Sequence, residues 1–229
     1  MSLDPIEKKP LYRYHPGEKI LSLGTKGCNL HCDFCQNWRI SQDLKAPTQD
    51  VTSAEIIERA RACGSFGIAY TYNEPFIWYE FVFETAKLAS RSGLANVLVT
   101  NGYVNIEPLE EILPFIGAMN IDLKGFDEKF YTRACSGRLK PVLETIKRSA
   151  RSCHVELTNL IVPTLNDSEK SIEMMIDWIH DNLGPEMPLH LSRYFPCYKM
   201  NIPATPVETL RRAEGIAKKK LKYVYLGNA

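Results

Sequence analysis

No apolar run in the sequence is long enough to span a bilayer, and Met1 to Pro10 carries no leader pattern. With neither an anchor nor a secretory leader in view, the expected place is the cytoplasm. A charge surplus is also missing: 28 Lys and Arg stand against 27 Asp and Glu, a formal net charge of +1. Bulk electrostatics therefore gives no reason to expect a nucleic acid or an anionic membrane as partner. Nor is there an even, paired set of cysteines. Of the 7, Cys28, Cys32 and Cys35 crowd together, while Cys63, Cys135, Cys153 and Cys197 are scattered. That pattern excludes a disulfide framework and points to a reducing compartment, with the scattered four read as small buried hydrophobes. The 229 residues are enough for one sizeable core.

What is present is the stretch Gly27-Cys28-Asn29-Leu30-His31-Cys32-Asp33-Phe34-Cys35-Gln36-Asn37-Trp38. Its thiols stand as C-x3-C-x2-C, a spacing that fits no single helix or strand face. Such a run must be a loop folded around one centre, and clustered thiolates hold zinc or an iron–sulfur cluster. A zinc site completed by His31 or a distant cysteine is the plainer reading, but zinc sites usually come as two close pairs and no second pair exists. Three thiolates on a cubane leave one iron open to a further ligand.

Read in order, the chain alternates strands and helices. A polar arm over residues 1–19 precedes a core domain over 20–229. Strands are predicted at Ile20–Gly24, Gly67–Tyr72, Asn96–Thr100, Met119–Lys124, His154–Val162 and Leu189–Tyr194, with an edge strand at Tyr223–Leu226. Helices are predicted between them. Thr52-Ser53-Ala54-Glu55 and Thr205-Pro206-Val207-Glu208 read as capping boxes, and Asp167 as a further cap. Six strand–helix units in strict alternation mean a parallel sheet with helices outside. The fold class is therefore α/β, a partial (βα)6 barrel of the TIM type.

Alternation places Asn120, Asp122 and Lys124 on one strand face, Glu156 and Thr158 on the next, and His190, Ser192 and Tyr194 on a third. The apolar faces must meet the outer helices, so the polar ones point into the lumen and mark a site. Solvated edge strands are the other reading, and a lone His190 on a strand is often only hydrogen-bonded. The basic residues Arg211, Arg212, Lys218, Lys219, Lys220 and Lys222 read as a solvated helix face, or else as a docking surface.

C-x3-C-x-aromatic-C, with Phe34 in the aromatic slot, resembles the signature of the radical S-adenosylmethionine (SAM) superfamily. Asp4-Pro5-Ile6-Glu7-Lys8-Lys9-Pro10, Tyr72-Asn73-Glu74-Pro75, Asn120-Ile121-Asp122-Leu123-Lys124-Gly125 and Tyr225-Leu226-Gly227-Asn228 extend the likeness over nearly the whole chain. They resemble the radical SAM member of the AmmeMemoRadiSam system and the pyruvate formate-lyase activating enzymes. Relatives of that group often carry cysteine-bearing extensions at both ends, so the sequence reads as a short form or a trimmed core.

The resemblance implies a [4Fe-4S] cluster on Cys28, Cys32 and Cys35, and SAM on its open iron. It suggests Glu74 with Asn73 for the SAM ammonium, Lys124 for the carboxylate, and Asn101 and Asp122 organising that end. Val162-Pro163 and Asn166-Asp167 would lie beside the adenosyl group, though Asp167 reads equally as a helix cap. Tyr72-Asn73 stands where the superfamily often has two glycines, and Val99 where the activating enzymes carry an acid that helps hold a cation. The implied activity is reductive cleavage of SAM to a 5′-deoxyadenosyl radical by an oxidoreductase of the glycyl-radical activase type. Its implied partners are a protein substrate and a reduced flavodoxin or ferredoxin-type donor. Two alternatives remain: a radical SAM enzyme acting on a small polar molecule, and a metal-bearing interaction module that docks through the basic end.

Overall fold

The computed structural model describes residues 1–228; Ala229, the last residue of the expected core domain, lies outside the described residues. Eight strands form one sheet, each beside its neighbour in the chain. They are β1 (Ser2–Pro5), β2 (Lys19–Leu23), β3 (Gly67–Tyr70), β4 (Ala95–Thr100), β5 (Ala118–Asp122), β6 (His154–Ile161), β7 (Leu189–Arg193) and β8 (Val224–Gly227). β1 runs antiparallel to β2, and every later pair is parallel. The sheet stays open, with β1 and β8 at its edges. The partial barrel expected from the alternation is thus present. β8 closes one edge as anticipated; β1 closes the other, where the polar arm had suggested no strand.

The helices are α1 (Trp38–Ser41), α2 (Ser53–Ala62), α3 (Tyr79–Arg91), α4 (Ile106–Ile112), α5 (Glu128–Phe130), α6 (Leu139–Ser149), α7 (Glu169–Leu183) and α8 (Val207–Ala217). Thr52 caps α2 as its sequence indicates: its hydroxyl accepts from the Glu55 amide, and Glu55 accepts from the Thr52 amide. The other two expected caps differ. Ser168, not Asp167, caps α7, while Asp167 accepts from the Thr164 amide. At α8 there is no side-chain cap. The buried Thr205 hydroxyl instead donates to Ile161 O (2.6 Å) and accepts from the Tyr194 amide. A buried carbonyl without a partner costs more than a helix start that water can reach.

Alternation along the strands sorts the two faces as expected. Ile68, Tyr70, Leu98, Met119, Ile121, Leu157, Leu189 and Leu191 are buried in the main core beneath the helices. The inward positions change character along the barrel. At the amino ends of the strands, Ile20, Ala69, Val97 and Ala118 form a separate apolar cluster with Ile6 and Leu11 of the arm. Further along, Val99, Asn120, Asp122, Thr158, Leu160, His190 and Ser192 line an open lumen.

The arm therefore closes the bottom of the barrel. Pro10 O accepts from Asn120 Nδ2 (2.8 Å), and the Arg13 amide donates to Glu156 Oε1 (2.7 Å). Glu156 also accepts from His154 Nε2 (3.0 Å) and His190 Nε2 (2.6 Å). It is a fully buried junction beneath the arm and is not part of the cavity lining. At the other end of the chain four of the six basic residues pair with acids: Lys218 with Glu214, Lys220 with Asp177, Lys222 with Glu186 and Arg212 with Glu169. That pairing makes a salt-bridged, solvated face.

Burial alone would raise the Glu156 carboxyl, but hydrogen bonds from His154, His190 and the Arg13 and Tyr12 backbone outweigh it and lower it from 4.5 to about 2. Its stabilising contribution is complete above the unfolded value and is lost as pH falls through the folded one. In urea titrations the wild type should lose roughly 3 kcal/mol between pH 5 and 2 that Glu156→Gln does not lose. Equal acid slopes for the two proteins would refute this.

Candidate active site

The chain from Gly24 to Asn37 has no helix or strand, so its backbone groups must find partners elsewhere. A single π-helical turn at Tyr131–Cys135, after α5, supplies two of them. Its terminal carbonyls take the amides of the cysteine loop, His31 N to Cys135 O (3.0 Å) and Asp33 N to Ala134 O (3.0 Å). Side chains supply others: Asn73 Nδ2 donates to Gly27 O (3.1 Å) and Gln42 Nε2 to Leu30 O (3.0 Å), while the loop's own Asn37 Nδ2 donates outward to Tyr72 O (2.7 Å). Gly27 has a φ of +96°, and a Cβ there would meet Ile77 Cδ1 at 2.9 Å. Glycine before the first cysteine is therefore a steric requirement.

This framework turns Cys28, Cys32 and Cys35 toward one cavity of about 610 Å³, and none of them is in a disulfide. Leu30 N donates to Cys28 Sγ at 3.4 Å, and Cys35 Sγ lies 3.1 Å from Ser41 Oγ. Such donors stabilise sulfur when it carries negative charge. Burial pushes the Cys28 thiol up to about 11 and raises that of Cys35, so both are protonated until a metal displaces the proton. Cys32 differs: a hydrogen bond with Cys135 draws its thiol down against burial. Cys135 is fully buried and off the cavity lining.

Among the described residues no three His, Cys, Asp or Glu side chains converge as ligands of one ion would. The thiols stand around a shared space, with no fourth cysteine among its lining residues. A donor set of three thiols falls short of a closed zinc site and suits an iron–sulfur cluster with one iron left open.

Two charged groups line the same cavity as the thiols. Glu74 follows β3 and is 3% exposed. Its Oε1 accepts from Thr100 Oγ1 (2.8 Å) and Phe76 N (3.2 Å), and its Oε2 from Asn101 N (2.8 Å). Oε2 keeps room for one more donor. Lys124 follows β5, and its Nζ donates to Asp122 Oδ2 (2.8 Å), leaving two further protons. Burial works against the ammonium, yet Asp122 and the neighbouring thiols outweigh it and hold it well above its ordinary range. A carboxylate and an ammonium facing one cavity can receive the two ends of an amino-acid zwitterion.

Asn101 spans both halves: Nδ2 reaches Asn29 Oδ1 (2.8 Å) and lies 3.5 Å from Cys28 Sγ. The Thr100-Asn101-Gly102 turn needs its glycine, because Gly102 has a φ of +70° and a Cβ there would meet Ile121 Cγ2 at 2.9 Å.

The cavity thus brings together Cys28, Cys32, Cys35, Phe34, Asn73, Glu74, Asn101, Asp122 and Lys124. Phe34 is buried and stacks on Phe130 at 5.8 Å, which backs the loop with core. Asn73, anticipated beside the ammonium, is committed to the loop: its Oδ1 accepts from Thr25 N and its Nδ2 donates to Gly27 O. Val162 does not reach the cavity. It is fully buried, and its amide donates to Asn166 Oδ1 (2.7 Å) because Asn166 closes the turn after β6. Ser41 and the segment at 128–135 join the site without a sequence signal that nominated them, Ser41 through Cys35, and Ala134 and Cys135 through Asp33 and His31.

The family model for the radical SAM superfamily matches residues 22–179. An uncharacterized protein of Methanocaldococcus jannaschii is 46% identical over 233 residues, covering 100% of this chain and 69% of that protein. A pyruvate formate-lyase-activating enzyme of Clostridium pasteurianum is 24% identical, covering 86% of this chain and 84% of the enzyme. Among solved structures, a domain of a pyruvate-formate lyase-activating enzyme from Bacteroides vulgatus superposes with a TM-score of 0.62 at 20% identity. It covers 71% of this chain and 99% of that domain, a likeness of fold.

Burial raises the Glu74 carboxyl from 4.5 to about 7, against the hydrogen bonds from Asn101, Thr100 and Phe76 and the charge of Lys124. A raised carboxyl stabilises fully below its unfolded value, and that contribution is lost as pH rises through the folded one. In the cluster-free protein, Glu74→Gln should therefore gain roughly 3 kcal/mol over wild type between pH 5 and 8, read by denaturant titration. No change in the difference between the two proteins across that range would contradict it.

Proposed function

The chain belongs to the radical SAM superfamily, and from that membership we propose that Cys28, Cys32 and Cys35 hold three irons of its [4Fe-4S] cluster while Glu74, Asn101, Asp122 and Lys124 frame S-adenosylmethionine at the fourth. The protein is accordingly an enzyme whose cofactors are the cluster and SAM. When bound, these two supply the reductive cleavage of a sulfonium that yields methionine and a 5′-deoxyadenosyl radical.

The chain's own residues bind and orient. Glu74 Oε2 accepts from the ammonium, and the free protons of Lys124 go to the carboxylate. Asp122 keeps the Lys124 ammonium charged and aimed. Asn101 couples the two halves by touching the cysteine loop at Asn29 and Cys28. The apolar cluster at the arm and the packed Phe34 close the lower end of the cavity and the back of the loop to water, which helps protect a reactive radical.

The observation that carries this reading is the convergence of three unpaired thiols, a carboxyl group and an ammonium on a single cavity. Within the superfamily we assign the activating-enzyme type, in which the radical is passed to a protein. The activating enzyme of Clostridium pasteurianum is similar over most of both chains, which supports that assignment. A small polar substrate is the second reading, favoured by Thr158, His190 and Ser192 facing the same lumen. Glu156 no longer contributes to it, because that carboxylate is committed to the arm and two imidazoles.

Anaerobic reconstitution should load about four irons and four sulfides per chain, with Cys32→Ala falling close to background. Reductant and SAM should then release 5′-deoxyadenosine. Iron uptake indifferent to Cys32→Ala would sink the ligand assignment. Mixing the reduced enzyme and SAM with candidate glycyl-radical enzymes should produce a backbone radical by electron paramagnetic resonance. Robust SAM cleavage with no such radical across the candidates, together with hydrogen transfer from a small molecule, would favour the second reading.

A further inference from the structure

Two features of the arm and the turn before Glu74 have no part in the functions above. The first is a buried pair of charges. Asp4 in β1 is 3% exposed and Lys9 is 1% exposed, with Lys9 Nζ 2.7 Å from Asp4 Oδ2. Lys8 Nζ donates to the other oxygen at 2.9 Å. Burying two opposite charges completely is costly and adds little stability against an apolar alternative. The second is a strained residue. Tyr72 has a φ of +70°, a left-handed conformation that disfavours a bulky side chain.

The two features meet. The Tyr72 hydroxyl donates to Asp4 Oδ2, and Lys9 Nζ sits over the Tyr72 ring at 4.5 Å from its centre. Hydrogen bonds from Lys8, Lys9 and Tyr72 outweigh burial and hold the Asp4 carboxyl far below its usual range, so a carboxylate is present to receive all three. The left-handed turn at Tyr72 sends its side chain to the arm and its carbonyl to Asn37 Nδ2 in the cysteine loop. The next two residues are Asn73, which holds Gly27 and Thr25, and Glu74.

We propose that Asp4, Lys9 and Tyr72 form a tether by which the N-terminal arm holds the Tyr72-Asn73-Glu74 turn in its SAM-binding shape. They are positioning residues: Lys9 and Tyr72 border the same cavity, but their polar atoms are taken up by Asp4. The inference rests on the assignment of Glu74 to the SAM ammonium. Its physical logic is that a glycine would adopt the turn without strain but also without restraint. Tyrosine adopts it under strain, and the arm supplies the fixed point that holds it there.

Reciprocity gives a readout independent of turnover. If the arm fixes the turn, a ligand on the turn must fix the arm to the same degree. The arm amides of Ile6 and Lys9, bonded to Glu18 O (2.9 Å) and Ile6 O (2.8 Å), are the reporters. In the cluster-loaded protein, SAM should slow hydrogen exchange at residues 6–9 in the wild type and leave it unaltered in Tyr72→Phe.

The binding test uses labelled SAM in equilibrium dialysis, with iron content measured on the same samples. Tyr72→Phe and Asp4→Asn should each raise the dissociation constant about tenfold, the scale of one hydrogen bond to a charged group, with iron content unchanged. The double variant should bind no worse than the weaker single, because both act through one contact. Tyr72→Gly should bind as poorly as Tyr72→Phe. Wild-type affinity in these variants, a parallel loss of iron, or arm exchange indifferent to SAM in the wild type would each overturn the tether. A wild type that takes up iron yet binds no SAM would overturn the Glu74 assignment instead.

Discussion

A loop that carries three thiols toward one point has no ladder of its own, and the rest of the architecture answers that constraint. Its amides and carbonyls are taken up by the π-turn at Tyr131–Cys135, by Asn73 after β3 and by Gln42 after α1. The 194–205 segment joins in, with Lys199 N donating to Asp33 O. These partners come from elements spread around the barrel, so the loop can form only when the barrel has formed. Each backbone group left without a partner in that half-buried place would cost about 1–3 kcal/mol. The shape of the thiol set is thus a property of the whole fold.

Placing a carboxyl group and an ammonium in one lumen raises a second problem, and the two are solved differently. Lys124 is kept charged by a partner, Asp122, two residues earlier on the same inward face. No cation among the described residues bonds to Glu74 directly; three hydrogen-bond donors and the more distant charge of Lys124 hold it while burial pushes its carboxyl up to about 7. An ammonium arriving from a ligand would supply the missing opposite charge. Under the proposed function, the end that takes a ligand carboxylate is prepared in advance, and the end that takes its ammonium is completed on binding. That division concentrates the differential interaction where the ligand's own charge can be sensed.

The lower half of the barrel shows how an inward polar face can be structural. Glu156 and Asn120 point inward as alternation requires, yet both are occupied by the arm: Glu156 by the Arg13 amide, Asn120 by the Pro10 carbonyl. The arm also seats Ile6 and Leu11 on Ile20, Ala69, Val97 and Ala118. A polar pleat therefore splits into a floor that binds the chain's own terminus and an upper portion that remains open.

Much of this was legible in the residues themselves. The thiol spacing excludes a regular element, period-two alternation names the inward faces, and Thr52 with Glu55 announces a helix start. Each signal is local, written within a few residues by geometry that any chain must obey. What the tertiary structure decided depends on partners far off in sequence. Asn73 looked like a ligand contact and is a loop anchor because Thr25 lies 48 residues earlier and was not visible as its neighbour. Glu156 looked like a substrate group and is an anchor for the arm, 143 residues away at Arg13. Thr205 looked like a cap and went to a buried carbonyl on another strand. A side chain's chemistry can be read from its identity, but which of its hydrogen bonds are already taken is known only once the fold has brought its partners within about 3 Å.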